Sequence, residues 1–531
     1  MTEAAATEHD DAASTPSTEP HDRGTVNGPA VLFAVFLIAT CGLIYELVAA
    51  ALSSYLLGDS VTQFSTVIGA YLSAMGIGAW LSRSIDRKLA RRFVEIELAV
   101  GLVGGFSAAL LFLSFARFPF FRLVLYGLVG IVGVLVGLEI PLLMRILKDR
   151  YDTRELVARV LSADYIGALV ASLFFPLFLV PNLGLVRGAL VVGAINAGVA
   201  LWSTFLFEKT LARGEARFLR IEALAGICVL GVGISMSQKL TSLAEEELYA
   251  DHIVFAQTSL VQRIVLTRSK GSFSLFLNGN LQFSSADEHR YHEALVHPAI
   301  TVASASSSPS RVLILGGGDG LALREVFKHA GITSVKLVDL DPAMTKLAST
   351  HPLLVNQNQG SMSDPRLSIE NRDAFVYLEE RVGTELFDVA IVDFPDPNNF
   401  ALGKLYTRRF YQRLARALAP DGAIVVQATS PLLARKSFWT IVHTMSASGL
   451  FVRAYHANVP SFGEWGFALA AKRPFAPPAT LPPIELKYLS PSVMRGLFEL
   501  GPDVSEVETE VNRLDNQVLV RTYESEWARW Y

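Results

Sequence analysis

The residues best suited to chemistry are acids placed at the ends of apolar runs in the second half of the chain. An apolar strand, Val312–Leu315, is followed by Gly316, Gly317 and Gly318, a helix, and a second strand that ends at Asp339. Glycines at a strand-to-helix turn let the backbone approach a ligand closely, and an acid about 20 residues further on can accept hydrogen bonds from ribose hydroxyls. The pattern therefore indicates a nucleoside site.

Asp319, the acid inside the GGGDG turn, restricts which nucleoside fits. The turn is neither GxGxxG nor GxxxxGK(S/T), the two sequences that cradle phosphates. Because a carboxylate at this position would repel a phosphate, we expect a nucleoside without a pyrophosphate, and preferably a cationic one. An S-adenosyl compound meets both conditions.

Three further strands are predicted to end at polar side chains. These are Asp373 after Leu367–Ile369, Asp393 and Asp396 after Phe387–Val392, and Gln427 after Ala423–Val426. Strands that alternate with helices predict right-handed βαβ units and a parallel sheet, with the ligand at the carboxyl ends of the strands. A single aspartate there is commonly a helix cap or a turn former, but five acids in succession favour a binding site.

These motifs resemble those of the spermidine synthase-like aminopropyltransferases, the polyamine synthase family. The family pattern is a GGG(D/E)G turn, an acid-x-Asp ribose strand, an xD(A/G) adenine strand and a DxxDP loop, which read here GGGDG, DLD, RDA and DFPDP. Ser259–Ile264 and Asp287–Pro298 also resemble family segments, although Val261 replaces an aromatic residue. The resemblance covers Leu248–Lys472 in collinear order.

The resemblance implies a role for each polar residue. Asp393 would be the catalytic base and Asp396 would help to hold the acceptor amine. The remaining roles are Asp319 for the aminopropyl ammonium of the donor, Asp339 for the ribose hydroxyls, Asp373 for the adenine amino group, Gln262 for the donor, and Tyr291 and Gln427 for the amine channel. For Tyr291 and Gln427 an ordinary polar residue near a core stays an alternative.

The reaction that the resemblance implies is consistent with these acids. An amine attacks a methylene next to a sulfonium, and freeing the lone pair of an amine with a pKa near 10.4 costs about 4–5 kcal/mol at pH 7. A carboxylate within hydrogen-bonding reach can take that proton, and acidic walls concentrate a dicationic acceptor and a cationic donor. Decarboxylated S-adenosylmethionine is then a co-substrate, and no cofactor is expected.

Several departures leave the acceptor open. His292, which we count among the substrate-binding residues, stands where many spermidine synthases have Gln. The segment YHE followed by HP resembles thermospermine- and agmatine-type relatives. Gln427 lacks the acid that often follows it, and Phe462 stands where Tyr is common. We do not expect His292 and His297 to bind a metal, because no Cys or third His is suitably spaced.

The first half of the chain predicts a membrane domain. Hydrophobic residues make up 51% of the sequence, and apolar runs occupy 30–51, 62–82, 95–115, 120–146, 159–181, 185–207 and 221–237. A bilayer span needs about 20 apolar residues, which the last run only approaches, so six or seven spans are expected. We single out Glu46, Glu139 and Asp164 within these runs, since intramembrane acids usually face a bundle interior or a water-filled path.

The sequence does not decide on which side of the membrane the catalytic half lies. Basic clusters at Arg83–Arg92, Lys148–Arg159 and Lys209–Arg220 belong in the cytoplasm by the positive-inside rule. With seven spans the catalytic half is then external, whereas its donor is made in the cytosol. Six spans, with Ile221–Ser237 in the interface, keep that half inside.

The sequence thus predicts an N-terminal α-helical membrane bundle of six or seven spans, a small β-domain and a Rossmann-like α/β domain of the S-adenosylmethionine-methyltransferase type. The predicted parts are a disordered tail at 1–28, transmembrane domain at 29–240, β-domain and cap at 243–300, aminopropyltransferase domain at 301–475 and C-terminal tail at 476–531. We expect a helix over 490–526 and assign it no chemistry.

The expected function is transfer of an aminopropyl group from decarboxylated S-adenosylmethionine to a diamine, by default putrescine to spermidine with release of methylthioadenosine. The alternatives are a thermospermine- or agmatine-type enzyme, a methyltransferase, and a membrane transporter or sensor whose synthase-like domain only binds polyamine. The expected partners are polyamine and nucleoside substrates, the lipid bilayer of the cell membrane and a second copy in a homo-oligomer. No basic, aromatic-interleaved patch suggests nucleic acid.

Overall fold

The computed structural model describes residues 28–57, 61–118, 120–148, 152–249, 251–305, 310–381, 385–481 and 483–530. Residues 1–27 of the tail predicted to be disordered lie outside this part of the chain. The described residues form a bundle of long apolar helices, then a four-stranded sheet, then a seven-stranded sheet with helices packed against it.

Seven long helices build the first half of the chain. They are α1 (Gly28–Leu57), α2 (Val61–Leu81), α3 (Leu89–Arg117), α4 (Phe121–Leu147), α5 (Thr153–Phe174), α6 (Val180–Leu206) and α7 (Arg213–Tyr249). Small residues bring some of them into backbone contact, since a Cβ built on Gly137 of α4 would lie 2.1 Å from the carbonyl oxygen of Met75 on α2. Such close approach is typical of helix pairs packed without a hydrophobic driving force.

The connection between α5 and α6 reverses the chain. Both helices belong to one helical stretch of 54 residues, which is broken at Gly184, where φ is 70° and ψ is 177°. Thr40 Oγ1 on α1 lies 3.2 Å from the carbonyl oxygen of Gly167, and the Sγ of Cys41 lies 3.9 Å from that of Val192. Residues 167 and 192 would be about 38 Å apart in a continuous helix, so α5 and α6 run side by side in opposite directions.

Counted separately, α5 and α6 bring the long helices of the described residues to seven, an odd number. Within the described residues, six helical stretches are long and apolar enough to cross a bilayer, and the longest of them contains both α5 and α6. α7, whose apolar run was the weakest in the sequence, is one of the six and packs against α3 and α6. The hydroxyls of Tyr55 in α1 and Tyr249 at the end of α7 lie 3.1 Å apart, so the first and last helices run in the same direction.

The basic clusters share one end of the bundle. Lys88 beside α3 pairs with Glu215 at the start of α7, and Arg145 near the end of α4 donates to the carbonyl oxygen of Ser82 at 2.9 Å. The second half of the chain begins at the opposite end, after Tyr249. The predicted boundary at residue 240 falls inside α7, which continues without a break toward the first sheet.

The four-stranded sheet is an antiparallel meander. Its strands, in the order β1-β2-β3-β4, are β1 (His252–Thr258), β2 (Arg263–Arg268), β3 (Phe273–Leu277) and β4 (Asn280–Ser284). Asn278 and Gly279 form the turn between β3 and β4 with φ of 49° and 82°, as the Asn-Gly pair predicts for a tight hairpin.

The seven-stranded sheet has the order β10-β11-β9-β8-β5-β6-β7. The elements of this half are α8 (Glu288–Ser304), β5 (Arg311–Gly316), α9 (Leu321–Phe327), β6 (Ser334–Asp339), α10 (Pro342–Thr350), α11 (Pro352–Gln357), β7 (Leu367–Asn371), α12 (Ala374–Arg381), β8 (Phe387–Asp393), α13 (Phe400–Gly403), α14 (Arg408–Ala417), β9 (Leu418–Gln427), α15 (Arg435–Ser446), β10 (Phe451–Val459), β11 (Gly463–Ala471), α16 (Pro491–Gly496) and α17 (Val518–Trp527). Strands β5 to β9 are parallel to one another. Strand β11 is antiparallel to β9, and β10 is antiparallel to β11. The strand order reverses between β5 and β8, where ligands bind in such sheets.

The central strands are buried on both faces. Val312 and Ile314 of β5 belong to one core, which includes residues of α8, and Leu313 and Leu315 belong to another with residues of α14 and α15. Each such side chain contributes about 1.5–3 kcal/mol when it is fully buried. This two-sided burial explains why the strands read as continuous apolar runs and why their polar residues are confined to their ends.

The C-terminal tail differs from the prediction. The helix expected over 490–526 is instead two short helices, α16 and α17, joined by non-helical chain. The carboxylate of Glu526 accepts hydrogen bonds from the backbone of Lys436 and Ser437 at the start of α15, at 2.8 and 3.0 Å. A carboxylate is stabilised at a helix N-terminus, and this contact docks α17 against the main sheet domain.

Candidate active site

The glycine turn after β5 lies directly against two of the strand-end acids. Gly316 has a φ of 81°, and a Cβ built on it would lie 2.1 Å from the carbonyl oxygen of Asp393. A Cβ on Gly318 would lie 2.6 Å from Oδ2 of Asp339, and one on Gly317 would lie 3.2 Å from Oδ2 of Asp393. Glycine is therefore required for the ends of β5, β6 and β8 to meet this closely.

Asp339, at the end of β6, is positioned by backbone amides. Its Oδ2 accepts a hydrogen bond from the amide of Gly318 at 3.1 Å, and its Oδ1 accepts one from the amide of Asp341 at 2.8 Å. Burial raises the pKa of the carboxyl to about 6 against the effect of these amides. Each carboxylate oxygen has a further lone pair, so Asp339 can accept hydrogen bonds from a ligand.

Gln262 joins the four-stranded sheet to the same edge. Its Nε2 donates to Oδ2 of Asp341 at 3.0 Å, and the Ser259 hydroxyl donates to the same oxygen at 2.8 Å. Asp341 also accepts from the amide of Ala343 at 2.9 Å and so caps α10. The segment between β1 and β2 is therefore fixed beside Asp339.

Asp319 has both a local contact and charged neighbours. Its Oδ1 accepts from the amide of Leu321 at 2.9 Å, a turn contact of the kind common at strand ends. Burial raises the pKa of its carboxyl, while the charge of His292 opposes this shift. Asp319 in turn raises the pKa of Asp339 and Asp393, which places the three carboxyls within electrostatic reach of one another.

Asp393, the last residue of β8, is in contact with Tyr291 of α8. The tyrosine hydroxyl donates to Oδ1 of Asp393 at 2.6 Å. Burial raises the pKa of Asp393 to about 6, with a further contribution from Asp319. At pH 7 this carboxyl is mostly ionised, yet its pKa is close enough to neutrality for proton transfer in both directions.

Asp396 lies in a hydrogen-bond network that the sequence only partly predicts. It accepts from Gln427 Nε2 at 3.4 Å, from the Thr429 hydroxyl at 3.0 Å and from the Tyr523 hydroxyl at 2.8 Å. Gln427 also donates to the Tyr406 hydroxyl at 2.7 Å. Burial raises the pKa of Asp396 to about 6 against the effect of its three donors.

Two members of this network were missed by sequence reasoning. Tyr523 belongs to α17, in the tail to which no chemistry was assigned, and it is 127 residues from Asp396. Thr429 has a φ of 61°, which is rare for a β-branched residue and is found where surrounding structure enforces it. That strain is a structural signal of a site, but the sequence does not carry it.

His292 belongs to a buried charge network below the acids. Its Nδ1 lies 2.8 Å from Oε2 of Glu288, which also pairs with Arg324. Although burial opposes the charge, the hydrogen bond and charge of Glu288 raise the pKa of His292 to about 9. His297 is apart from this group, with contacts to His329 at 2.9 Å and Glu325 at 3.0 Å.

Asp373, at the end of β7, is already paired. Its Oδ1 accepts from the amide of Phe375 at 2.8 Å, which starts α12, and its Oδ2 lies 2.5 Å from the Lys404 ammonium. A ligand amino group at Asp373 would share an oxygen with Lys404 or displace it. Among the described residues, Asp373 is the predicted site acid that forms an ion pair with a lysine.

The arrangement as a whole is an acidic surface at the carboxyl ends of the parallel strands. It lies at the ends of the neighbouring strands β5 and β8, where the strand order reverses, and between the four-stranded sheet and α17. Low-dielectric walls lined by one sign of charge concentrate ligands of the opposite sign. The surface can therefore bind a cationic nucleoside and a cationic amine, and its carboxyls can accept a proton.

Known proteins match this chain over nearly its whole length. A polyamine aminopropyltransferase of Leptospira interrogans is 48% identical over 500 residues, which are 94% of this chain and 99% of the relative. The chain belongs to the polyamine aminopropyltransferase family. The spermine/spermidine synthase domain matches residues 288–477, which confirms the resemblance drawn from the sequence and the transferase class.

Other aminopropyltransferases extend the match across both halves. Polyamine aminopropyltransferase 2 of Ralstonia nicotianae is 50% identical over 505 residues, 94% of this chain and 98% of its own. Polyamine aminopropyltransferase 1 of Streptomyces coelicolor is 42% identical over 535 residues, 98% of each chain. The helical half is therefore shared by these aminopropyltransferases.

Among solved structures, the spermidine synthase of Thermotoga maritima is similar to part of the chain. It is 28% identical and covers 47% of this chain and 84% of its own, with a TM-score of 0.43. In this aminopropyltransferase family decarboxylated S-adenosylmethionine is a co-substrate and not a bound cofactor.

Proposed function

We propose that the acidic edge of the main sheet transfers an aminopropyl group from decarboxylated S-adenosylmethionine to a diamine. The acceptor nitrogen attacks the methylene carbon beside the sulfonium, and the carbon–sulfur bond breaks with its electrons on sulfur. The products are methylthioadenosine and a lengthened polyamine. With putrescine, the default acceptor, the product is spermidine.

The contact between Tyr291 and Asp393 carries the proposal. Asp393 is the last residue of β8, beside the glycine turn of β5, and its Oδ1 accepts a hydrogen bond from the Tyr291 hydroxyl at 2.6 Å. We assign it as the base that takes the proton of the attacking amine. Its pKa of about 6 keeps it ionised at neutral pH, as a base requires.

Asp396 holds the acceptor in this proposal. The hydroxyls of Thr429 and Tyr523 fix the carboxylate, and Nε2 of Gln427 donates to its other oxygen. A carboxylate so fixed binds an ammonium with little loss of side-chain freedom. Tyr291 and Gln427 then line the channel through which the amine reaches Asp393.

The donor lies along β5 and β6. We assign the ribose hydroxyls to Asp339 and the aminopropyl ammonium to Asp319, with Gln262 at the side of the nucleoside and Gly316, Gly317 and Gly318 beneath it. Asp373 accepts a hydrogen bond from the adenine amino group if Lys404 releases the Oδ2 of Asp373 that it contacts. The carboxylate of an ordinary methyl donor would instead meet Asp319, which disfavours a methyltransferase.

A thermospermine- or agmatine-type acceptor is the second candidate. It is favoured by His292, whose charge is stabilised by Glu288 and acts on both Asp319 and Asp393. A cation at this position opposes the binding of a second ammonium nearby. It therefore changes which amine fits compared with a neutral glutamine.

For the helical half we propose a multi-pass domain in the cell membrane. The support is the length and apolarity of the six helical stretches together with exposed large apolar side chains on their outer faces, such as Leu123, Leu177 and Ile221. Apolar residues facing outward are stable in lipid and costly in water. A transporter or sensor that only binds polyamine is the rival from another class.

An acceptor panel tests the proposal. Purified full-length protein receives labelled decarboxylated S-adenosylmethionine with putrescine, agmatine or spermidine, and methylthioadenosine is measured. We expect release with at least one amine, and the fastest amine identifies the acceptor. No methylthioadenosine with any amine, despite bound polyamine, would leave the binding-only transporter or sensor as the better account.

A further inference from the structure

A second acidic cluster lies inside the helical bundle. Glu97 of α3 and Glu139 of α4 are 0% and 1% exposed, and their carboxyl groups face each other within hydrogen-bonding reach. Neither oxygen of Glu97 receives a hydrogen bond from a donor group, and Oε1 of Glu139 also lacks one. Among the described residues no Lys, Arg or His forms an ion pair with either carboxyl.

Asn196 is an unpartnered amide on the same side of α3. It is 1% exposed, and neither its Oδ1 nor its Nδ2 has a hydrogen-bond partner. It packs against α3 at Gly101, where a Cβ would lie 3.3 Å from the Cβ of Asn196. Gly101 is one helical turn from Glu97, so Asn196 packs against α3 within one turn of the carboxyl pair.

Tyr45 contributes a fourth polar group from α1. Its hydroxyl is buried without a hydrogen-bond partner, and it is close enough to both Glu97 and Glu139 to feel their charges. Its ring packs against Gly104, where a Cβ would lie 2.7 Å from Cζ. Four helices thus each bury one unsatisfied polar side chain in the same interior region.

This pattern differs from ordinary packing of polar residues. A buried polar group without a partner costs about 1–3 kcal/mol, and here several such groups lie in one region with no donor among the described residues to satisfy the carboxylates. Tyr71, in contrast, satisfies its hydroxyl within the same bundle by donating to the carbonyl oxygen of Gly42 at 2.8 Å. The cluster has the acceptors for a ligand and lacks a protein cation to neutralise them.

We propose that Glu97, Glu139, Asn196 and Tyr45 form a binding site for one protonated primary amine of a polyamine within the bundle. An ammonium has three donors and no acceptor, and the four side chains supply carboxylate, amide and phenol oxygens to receive them. A buried cation between two carboxylates also neutralises charge that is otherwise costly in this environment. The choice of an amine over a metal ion rests on the polyamine chemistry of the catalytic half.

Equilibrium binding of labelled spermidine to full-length protein in lipid nanodiscs tests this site. We expect two classes of site in the native protein, and only the catalytic class in Glu97→Gln and in Glu139→Gln. Each substitution keeps the side-chain shape and removes the charge, so the affinity of the inner site should fall by about 10- to 100-fold. Aminopropyl transfer should be unchanged, because neither residue belongs to the acidic edge of the sheet.

Glu95→Gln is the matched control. Glu95 is on the same helix and pairs at the surface with Arg91 and Arg92, so its loss should leave both classes of site intact. Tyr45→Phe, which deletes only the hydroxyl, provides a milder variant if a glutamine variant does not fold, and it should weaken the inner site without changing transfer. Because the readout is binding, the site can be detected even if no aminopropyl transfer is found.

Three results would overturn the proposal. The first is a single class of spermidine site in native protein. The second is an inner class that Glu97→Gln, Glu139→Gln and Tyr45→Phe leave intact. The third is a site that binds sodium or potassium ions while spermidine does not compete, which would identify a metal-cation site.

Discussion

The molecule contains two groups of buried acids, and they are satisfied in different ways. At the edge of the seven-stranded sheet, Asp339, Asp393 and Asp396 each accept hydrogen bonds from named donors at 2.6–3.4 Å. In the helical bundle, Glu97 and Glu139 face each other without such donors. The first group is fixed in place before any substrate arrives, whereas the second lacks partners.

The two settings differ in the hydrogen-bond donors that they can offer a carboxyl group. At the strand ends, backbone amides hold Asp339 and side-chain donors hold Asp393 and Asp396. The sheet edge can therefore hold an acid rigidly and leave one lone pair for chemistry. Helices use their backbone amides internally, so an acid between them depends on side chains or on a ligand. Pre-organisation suits a catalytic base, and an unsatisfied pair suits a binding site for a cation.

The largest effect is expected from the base. Asp393→Asn should lower kcat by about 10³-fold or more, because an amide cannot take the proton of the amine. Donor binding should be nearly unchanged, since Asp393 acts on the acceptor. Steady-state kinetics and donor titration measure both. Asp421→Asn, in the first half of β9 and paired with Arg473, is the control. Equal losses of turnover and donor affinity would refute the assigned role.

Asp339→Ala should act on the donor. It removes charge-assisted hydrogen bonds to the ribose, so donor affinity should weaken by about 10- to 100-fold, with a smaller change in the KM of the acceptor. Calorimetric titration with donor and with methylthioadenosine measures the loss. If the KM of the acceptor rises and donor affinity does not change, Asp339 belongs to the amine side.

The pH dependence should report the ionised acids. Burial raises the pKa of Asp393 to about 6, and a base works only when it is deprotonated. Turnover should therefore be near its plateau above that pH and fall by about tenfold per unit well below it. A pH–rate profile of native protein checks this, and a flat profile from pH 7 to pH 5 would exclude Asp393 as the base.

Tyr523→Phe tests the contact made by the C-terminal tail. Loss of the hydroxyl that donates to Asp396 at 2.8 Å should raise the KM of the acceptor by about fivefold to tenfold, with donor affinity unchanged. Tyr488→Phe, at a tyrosine that stacks with Arg290, is the control. An unchanged KM of the acceptor would mean either that Asp396 does not hold the acceptor or that the Tyr523 hydroxyl does not act on Asp396.

The smallest effect is expected at Glu46. It lies in α1 but is outside the group formed by Glu97, Glu139, Asn196 and Tyr45. Glu46→Gln should leave both turnover and spermidine binding within about twofold of the native values, because sites without shared partners act independently. A loss of the inner spermidine site in this variant would enlarge that site to include Glu46.

The strands and most strand-end acids could be predicted because local sequence specifies them. β5 and β8 lie within a residue or two of the predicted runs, since two-sided burial requires uninterrupted apolar residues and Gly or Asp ends them. The Asn278-Gly279 turn is local in the same way. The roles of these acids toward substrates remain predictions, because they depend on ligands.

Other parts of the site could not be predicted because they come from distant segments. Tyr523 contacts Asp396 although the two are 127 residues apart in the sequence, and Lys404 contacts Asp373 although they are 31 residues apart. Glu97 was passed over because it follows the charged start of α3, and only the packing of α3 against α4 and α6 reveals its burial. The non-helical chain before α17 likewise reflects docking on α15.

The most direct test of the central claim follows the transferred group itself. Full-length protein is given decarboxylated S-adenosylmethionine labelled in the aminopropyl carbons together with the preferred amine, and the products are separated and counted. We expect label in the lengthened polyamine, one methylthioadenosine for each group transferred, and no transfer by Asp393→Asn. Label that stays on the donor with every amine, or transfer that persists in Asp393→Asn at the native rate, would contradict it.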